Sequence, residues 1–412
     1  MYISLTYVCL RMSKKQIVER EIELCRAQLQ SLQCPVTLRS KGVDGAKFIG
    51  VKIDYTKVEP SSDNEAPHYS IQIHGHDIKV ICSSDCVVSD TKLEKIFSMS
   101  AFVEWCSRFE EAFFKRYVFH TIEIQSIDLF GSRVGFLKFQ PKIFECDPGT
   151  IDSRTGRPKE TAVSSITFMR GGSVAMLPVF HCADKTYCCL TIQHRIPTGQ
   201  YAFKEIPAGM MDDDNNFGGV AAKELKEELG LMVHESELVD MLNVVGLEPE
   251  KLPGIFLSPG GCDEYMKFLF YRTHMDEEEI ESFRGKLTGA IEEGESITLE
   301  IVELKDVAKK CADAKSLVAL YLYSLLPDSI KLPPTQEKIQ LTPDQLHSVR
   351  AIAHADRRGY TGVKAAAELN VNDIPNFKER IATRRFTVDG LTAAELTFIR
   401  TWAIKKLEAK KS

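Results

Sequence analysis

The chain has 412 residues, 44% of them hydrophobic, and a net charge of −6, values typical of a globular protein with two or three domains. No apolar run approaches the ~20 residues that a membrane-spanning helix needs, so we expect no membrane partner. The 12 cysteines lack the paired CxxC spacing of zinc sites, and we expect reduced thiols in the cytoplasm. Met1 to Arg11 form a short apolar stretch ending in Arg, which leaves import into an organelle as the alternative.

Residues 1–120 predict an α+β region. A helix is expected from residue 13 to about residue 45, and strands are expected over Ala46 to Tyr55 and His68 to Cys82. Asp90 to Tyr117 predict one long amphipathic helix, whose aromatic side chains share a stripe: Phe102, Trp105, Phe109 and Phe113. Such a stripe fits either a hydrophobic core or a contact with a partner subunit.

Residues 121–330 predict an α/β domain. Strands are expected over Val174 to Phe180, Tyr187 to His194 and Tyr265 to Tyr271, with a helix between the last two. A closing helix is expected from Val307 to Leu326, before Pro327. This order of elements predicts an α/β/α sandwich around a mixed sheet.

The stretch from Glu205 to Leu231 carries the densest chemistry of the chain. A Pro-Ala-Gly turn precedes an acidic loop and a helix that contains Glu224, Glu227 and Glu228. Those three positions are i, i+3 and i+4, so their carboxylates crowd one helix face and repel each other. The face is tolerable if water solvates it or if divalent cations neutralise it, and Mg²⁺ prefers a few carboxylates together with substrate phosphates.

This stretch resembles the signature of the Nudix hydrolase family, G-x5-E-x7-R-E-U-x-E-E-x-G-U with U an aliphatic residue. The matching positions are Gly209, Lys223-Glu224-Leu225, Glu227-Glu228 and Gly230-Leu231. Asn215 stands where the family has its first Glu, and Lys223 stands where it has Arg. Lys cannot copy the bidentate fork of Arg, so these two departures indicate either a rewired support for the site or weakened catalysis.

From about Phe119 to Leu326 the chain resembles the ADP-sugar diphosphatase branch of that family, the relatives of ADP-ribose pyrophosphatase best known from plants. The segments that carry this resemblance are FGSRVGFLKFQ from Phe130, FMRGGSVAML from Phe168, IPAGMMDDD from Ile206, LSPGGCDE from Leu257, GKLTG from Gly285 and ADAKSLVAL from Ala312. Several segments in one order make the resemblance specific.

The resemblance implies a Nudix sandwich, a homodimer and a Mg²⁺-dependent enzyme, with Mn²⁺ as the alternative metal. The implied metal ligands are the Ala208 carbonyl, Glu224 and Glu228, with Glu227 as a catalytic residue close by. The implied reaction is hydrolysis of the diphosphate bond of a nucleoside diphosphate sugar. For ADP-glucose or ADP-ribose the products would be AMP and a sugar 1-phosphate or ribose 5-phosphate.

Two other loops predict substrate contacts and a base. Arg170 beside Gly171-Gly172 suits an anionic diphosphate, and Arg195 matches a position from which related enzymes reach the substrate. In related pyrophosphatases a loop Glu deprotonates the attacking water. Glu264 is the candidate base here, and Asp263 is its nearest rival and a candidate substrate contact.

Residues 331–412 predict a linker and a small helical tail that the resemblance does not cover. From Thr335 onward the chain has 14 Lys and Arg against 9 Asp and Glu, although the whole chain is acidic. Leu341 to Ala353 and Leu391 to Ala403 resemble each other, and each begins with a capping-box pattern. A basic tail could bind RNA or an acidic protein. The alternative function is therefore an RNA-associated Nudix protein that binds nucleotide or RNA 5′ ends with little turnover.

Overall fold

Two sheets and a C-terminal group of helices make up the part of the chain that the computed structural model describes. Those residues are 53–59, 68–84, 86, 89–163, 165–211, 217–246, 253–289, 295–358, 361–384 and 386–409. The helix predicted from residue 13 to about 45 and most of the strand Ala46 to Tyr55 lie outside them. None of the helices in these ranges is long and apolar enough to cross a membrane.

Strands with alternating buried residues build the first sheet. They are β1 Tyr55–Val58, β2 His68–Ile73, β3 His76–Cys82, β4 Tyr117–Phe130, β5 Arg133–Ile151, β6 Pro158–Val163 and β7 Thr167–Met169. The order is β1-β2-β3-β4-β5-β6, with β7 on β5, and only the β3–β4 pairing among these is parallel. The single strand predicted over His68 to Cys82 is wrong, because His74 and Gly75 adopt positive φ angles and turn the chain into a hairpin.

The predicted long helix from Asp90 to Tyr117 is also wrong, since the chain forms three short helices. They are α1 Asp90–Ile96, α2 Ser100–Ser107 and α3 Glu111–Phe114. Their aromatic stripe packs on the first sheet, where the Trp105 and Phe139 ring centroids lie 4.9 Å apart and Phe102 is fully buried. Of the two interpretations of this stripe, the structure agrees with the hydrophobic core.

The second sheet has the predicted mixed topology. Its strands are β8 Ser173–Cys182, β9 Lys185–Arg195, β10 Gln200–Glu205, β11 Ala208–Met210, β12 Val239–Asp240, β13 Ile255–Phe256, β14 Tyr265–His274, β15 Leu287–Thr288 and β16 Ile297–Glu303. The main order is β12-β14-β8-β9-β16-β15, and β10, β11 and β13 pair with β9, β8 and β14. The β8–β14 pair is parallel and its other pairings are antiparallel. The three predicted strands are therefore confirmed, each slightly longer than expected.

Helices cover both faces of this sheet. They are α4 Phe217–Leu229, α5 Met241–Val245, α6 Glu277–Phe283, α7 Val307–Lys310 and α8 Ala314–Leu325. Leu225 and Leu229 of α4 enter the core on one face, whereas Ala319 and Leu322 of α8 enter the core on the other. The α/β/α sandwich is thus confirmed. The closing helix is interrupted, because Asp313 accepts the Ser316 N–H at 3.1 Å and starts α8 as a new helix.

The C-terminal residues form a helical unit with its own apolar core. Its elements are α9 Asp328–Lys331, β17 Glu337–Lys338, α10 Pro343–Arg358, α11 Thr361–Asn372, α12 Phe377–Ile381, β18 Phe386–Thr387 and α13 Ala393–Glu408. Both predicted capping boxes form: Thr342 pairs with Gln345 before α10, and Thr392 pairs with Glu395 before α13. The first sheet continues past residue 120 to Met169, and the division into three domains at 120 and 330 stays a prediction.

Candidate active site

The turn between β10 and α4 brings a glycine against a helix carboxylate. Strand β11 pairs with β8, and helix α4 packs beside both. A Cβ atom built on Gly209 would overlap the carboxylate of Glu224, so only glycine lets that side chain approach so closely. The Glu224 carboxylate is therefore held against the backbone of Gly209, the residue that follows Ala208.

Glu228 is the most deeply buried acidic residue of helix α4. Its side chain points into the protein with 3% of the residue exposed, and among the described residues its Oε2 atom has no hydrogen-bond partner. Burial raises the pKa of Glu228, the carboxylates of Glu224, Glu295 and Glu205 raise it further, and only Arg195 opposes them. The site thus concentrates negative charge where water cannot solvate it. A bound divalent cation would relieve this arrangement.

Glu205 lies beside this cluster but has cationic partners. Its Oε1 atom accepts from Arg195 Nε at 2.7 Å, and its Oε2 atom pairs with the ammonium of Lys315. Lys315 also contacts Asp313 Oδ2 at 3.1 Å. Arg195 is therefore anchored by a buried carboxylate. The sequence analysis missed Glu205 and Lys315, although both lie in or beside the segments that carry the family resemblance.

Arg170 connects the Glu264 loop to the box turn. Its Nη1 atom donates to Glu264 Oε2 at 3.1 Å, and its Nη2 atom lies 3.4 Å from the sulfur of Met210. Asp263 acts on the backbone instead, because its Oδ1 atom accepts the N–H groups of Arg170 at 2.7 Å and Gly171 at 3.3 Å. The structure therefore brings Arg170, Asp263 and Glu264 together and joins them to strand β11.

A cavity of about 410 Å³ opens beside Arg170 and Met210. The first sheet and its helices supply the other wall, where two aromatic rings and two more cations line the space: Phe130, Phe136, Lys95 and Arg133. The guanidinium of Arg170 lies 5.7 Å from the centre of the Phe136 ring. Positive charge and flat apolar rings together suit an anionic ligand that carries an aromatic base.

Glu104 and Tyr265 tie this wall to the second sheet. The Tyr265 hydroxyl donates to Glu104 Oε1 at 3.2 Å, and Arg108 contacts the other carboxylate oxygen at 3.2 Å. Gly172 is required here, since a Cβ atom at that position would lie 2.6 Å from Tyr265 Cζ. The sequence analysis did not identify this cluster, because helix α2 and strand β14 are more than 150 residues apart in the chain.

The remaining predicted residues lie away from these carboxylates. Lys223 and Glu227 are exposed, and Lys223 borders a cavity with Ile404 and Leu407 of helix α13. Gly230 follows α4 with a φ of +68°, a left-handed conformation that suits glycine at a helix end. Asn215 lies outside the described residues. Within the described ranges, no group of three or more His, Cys, Asp or Glu residues has the geometry of a metal site.

Comparison with known proteins identifies the region that carries this site. Residues 169–321 match the family model described as NUDIX domain. The chain is 40% identical over 203 residues to Nudix hydrolase 14, chloroplastic, of Arabidopsis thaliana. That alignment covers 49% of this chain and 61% of the plant protein. A solved structure titled "Crystal structure of ADP compounds hydrolase" aligns with 51% of this chain and 92% of its own, at 14% identity and a TM-score of 0.33.

Proposed function

Because residues 169–321 form a Nudix domain, we propose that this chain hydrolyses the diphosphate bond of a nucleoside diphosphate sugar. The preferred substrates are ADP-glucose and ADP-ribose, and the products are AMP with a sugar 1-phosphate or ribose 5-phosphate. The observation that carries this proposal is the buried Glu228 beside Glu224, with Glu224 packed against Gly209. Such an excess of negative charge fits a site that works with a divalent cation and a phosphate substrate.

The Ala208 carbonyl, Glu224 and Glu228 are the residues that would hold the cation. Mg²⁺ is our first choice and Mn²⁺ our second, because the donors are oxygen atoms. When bound, such an ion withdraws charge from the diphosphate and lowers the pKa of a coordinated water. The unpartnered Oε2 atom of Glu228 supports this ligand set from the protein side. Glu227, one residue earlier on the helix, is exposed and adds negative charge at the rim.

Glu264 is our candidate general base. A water oxygen would attack one phosphorus of the diphosphate, and Glu264 would take the proton that the water loses. The bond from that phosphorus to the bridging oxygen then breaks, and the bridging oxygen leaves with the other phosphate. Asp263 is less suited to this role, because its Oδ1 atom already accepts two backbone N–H groups.

Arg170 and Arg195 are our candidates for binding the diphosphate. Arg170 faces the cavity of about 410 Å³ and touches Glu264, so one guanidinium can contact the substrate and orient the base. Arg195 keeps 41% of its side chain exposed while Glu205 holds its Nε atom, so its other nitrogens are available. The aromatic rings of Phe130 and Phe136 would stack on the base of the nucleotide.

The test is a turnover assay with purified protein and Mg²⁺, or Mn²⁺ in a parallel series. ADP-glucose, ADP-ribose, UDP-glucose and 5′-triphosphate RNA are supplied, and phosphate is measured after treatment with a phosphatase. We expect rapid release from one ADP-sugar and loss of activity with a chelator. No release from any substrate, with nucleotide still bound, would reject the enzyme and favour the RNA-associated alternative.

We also propose that the chain forms a homodimer through helix α8. Three large apolar residues lie four positions apart on the outward face of this helix: Leu317, Tyr321 and Leu325. Tyr321 is 65% exposed, and a contiguous apolar stripe of this kind is typical of an interface. Light scattering should give twice the monomer mass for the wild type and the monomer mass for Tyr321→Glu. Tyr201→Glu, at a position that is 89% exposed on strand β10, is the matched control and should remain dimeric.

For the compartment we propose an organelle, because the printed name of the plant relative places that protein in the chloroplast. This replaces our sequence-based preference for the cytoplasm. A fluorescent protein fused to the C-terminus of the full chain tests it by microscopy. Diffuse cytosolic fluorescence would reject the proposal.

A further inference from the structure

A second charged cavity lies at the far end of helix α4. It has a volume of about 230 Å³, several times the ~30 Å³ that one water occupies in the liquid. Gly230 and Lys286 form one side, and Arg384 and Arg400 from the C-terminal helical unit form the other. Nothing in the proposed hydrolysis uses this cavity.

Arg400 is the central group of this cavity. It is 8% exposed, and its Nη2 atom donates to the Phe386 carbonyl at 2.8 Å. Its Nε atom is buried and has no hydrogen-bond partner among the described residues. A buried guanidinium with an unused donor is unfavourable unless an acceptor from outside the chain occupies the cavity.

The neighbouring charges leave this arginine short of negative partners. Arg384 lies close enough to act against it, and burial together with this repulsion lowers the pKa of Arg400 to about 10. Glu279 pairs with Arg384, whose Nη1 atom donates to Glu279 Oε1 at 3.2 Å. Glu237 accepts the backbone N–H of Arg384 at 2.7 Å, and burial raises the pKa of its carboxyl. Three cations therefore surround the cavity, and Glu279 is the only carboxylate among the residues that line it in the described part of the chain.

We propose that this cavity binds a phosphate group, either inorganic phosphate or the phosphoryl end of a small phosphate ester. Arg400 would donate through its unused Nε atom, Arg384 would contribute a second guanidinium, and Lys286 would close the site from its exposed rim. A phosphate dianion balances three cations and one carboxylate. Guanidinium groups match phosphate geometry with two parallel hydrogen bonds, which favours phosphate over a monovalent anion.

The position of the cavity gives such a ligand a structural consequence. Gly230 directly follows helix α4, while Arg384 and Arg400 belong to the helical unit after residue 330. A phosphate bound here would therefore join the C-terminal unit to the end of the helix that carries Glu224 and Glu228. Binding to the folded state alone raises the melting temperature in proportion to ligand occupancy.

Thermal denaturation of the full chain tests the site. EDTA is present throughout, so that a divalent cation cannot recruit phosphate to the carboxylate site. Inorganic phosphate is titrated in one arm and ribose 5-phosphate in the other, each against sodium chloride at equal ionic strength. We expect a saturable rise in melting temperature. The tighter of the two ligands identifies the source of the phosphate group, and either result supports the site.

Three variants locate the binding. Arg400→Met and Lys286→Met should each weaken the apparent affinity by roughly tenfold or more, as expected for loss of one charge-assisted hydrogen bond. Lys286 is exposed, so its variant folds even if loss of the buried Arg400 disturbs the C-terminal unit. Lys405→Met removes the same charge from an exposed position on α13 outside the cavity, and it should bind as the wild type does. No saturable rise in the wild type, or equal affinity in Lys286→Met, would overturn the proposal.

Discussion

The two ends of the α4 region bury charges of opposite sign. On the inward face of the helix, Glu228 is 3% exposed and lacks a partner for one oxygen, whereas beyond the last residue Arg400 is 8% exposed and lacks a partner for one nitrogen. Glu205 lies close to Glu228, but Arg195 and Lys315 compensate it within the chain. The comparison teaches that a buried charge indicates a ligand when the chain itself does not supply the counter-charge.

Glu228→Gln breaks the acidic side of this comparison and should have the largest effect. Gln keeps the size of the side chain and removes the charge that would bind the cation, so we expect turnover to fall by about a thousandfold or more, equivalent to several kcal/mol of transition-state stabilisation. The melting temperature should stay the same or rise, because an uncompensated buried carboxylate does not stabilise the fold. Steady-state kinetics and thermal denaturation measure the two effects.

Glu278→Gln is the control for that variant, since Glu278 is exposed in the first turn of α6, outside this cluster. It should retain wild-type turnover. If Glu228→Gln kept normal turnover, the assignment of the metal ligands would be wrong. If it unfolded the protein, Glu228 would have a structural partner.

Glu264→Gln should have the next largest effect. Removing a general base lowers kcat by about a hundredfold or more, while KM should change little because Arg170 remains available for the substrate. Asp263→Asn is the comparison at the neighbouring position, and it should lower the melting temperature because Asp263 accepts two backbone N–H groups. An unchanged kcat in Glu264→Gln would move the role of base to Asp263.

Gly209→Ala tests whether the position of Glu224 matters as well as its charge. The new methyl group would overlap the carboxylate, which is the flexible end of a side chain and can move away. We expect kcat to fall by roughly tenfold to a hundredfold, because small displacements of catalytic groups have effects of that order. Gly149→Ala, on an exposed part of strand β5, provides the matched control and should have wild-type kinetics.

Sequence patterns predicted the inner face of α4 better than the cavity at its end. Glu224, Glu227 and Glu228 are close in the chain, so helical spacing alone identifies their shared side, and the long apolar runs of β8 and β14 identify a buried sheet. The capping boxes before α10 and α13 were predictable for the same reason, because each needs only four consecutive residues.

The parts that could not be predicted depend on contacts between distant residues. Glu205 meets Lys315 across 110 positions, and Arg384 meets Glu279 across 105. The long helix predicted over Asp90 to Tyr117 failed for a local reason, since its apolar periodicity continues across residues where the backbone bends between α1, α2 and α3. Two buried arginines within a basic tail also looked like surface charge, because composition alone does not report burial.

Lys223→Arg together with Asn215→Glu restores the family signature and should have the smallest effect. Lys223 is exposed on the outward side of α4, where Ile404 and Leu407 border its cavity, so its charge does not support the carboxylates on the inward face. We expect kcat within about twofold of the wild type, the range of most surface substitutions. Lys226→Arg, one turn further along the same side, is the control for the charge-preserving change and should match the wild type. A large gain in the double variant alone would mean that the natural site is impaired, and the buried excess of negative charge at Glu228 would then need another explanation than efficient turnover.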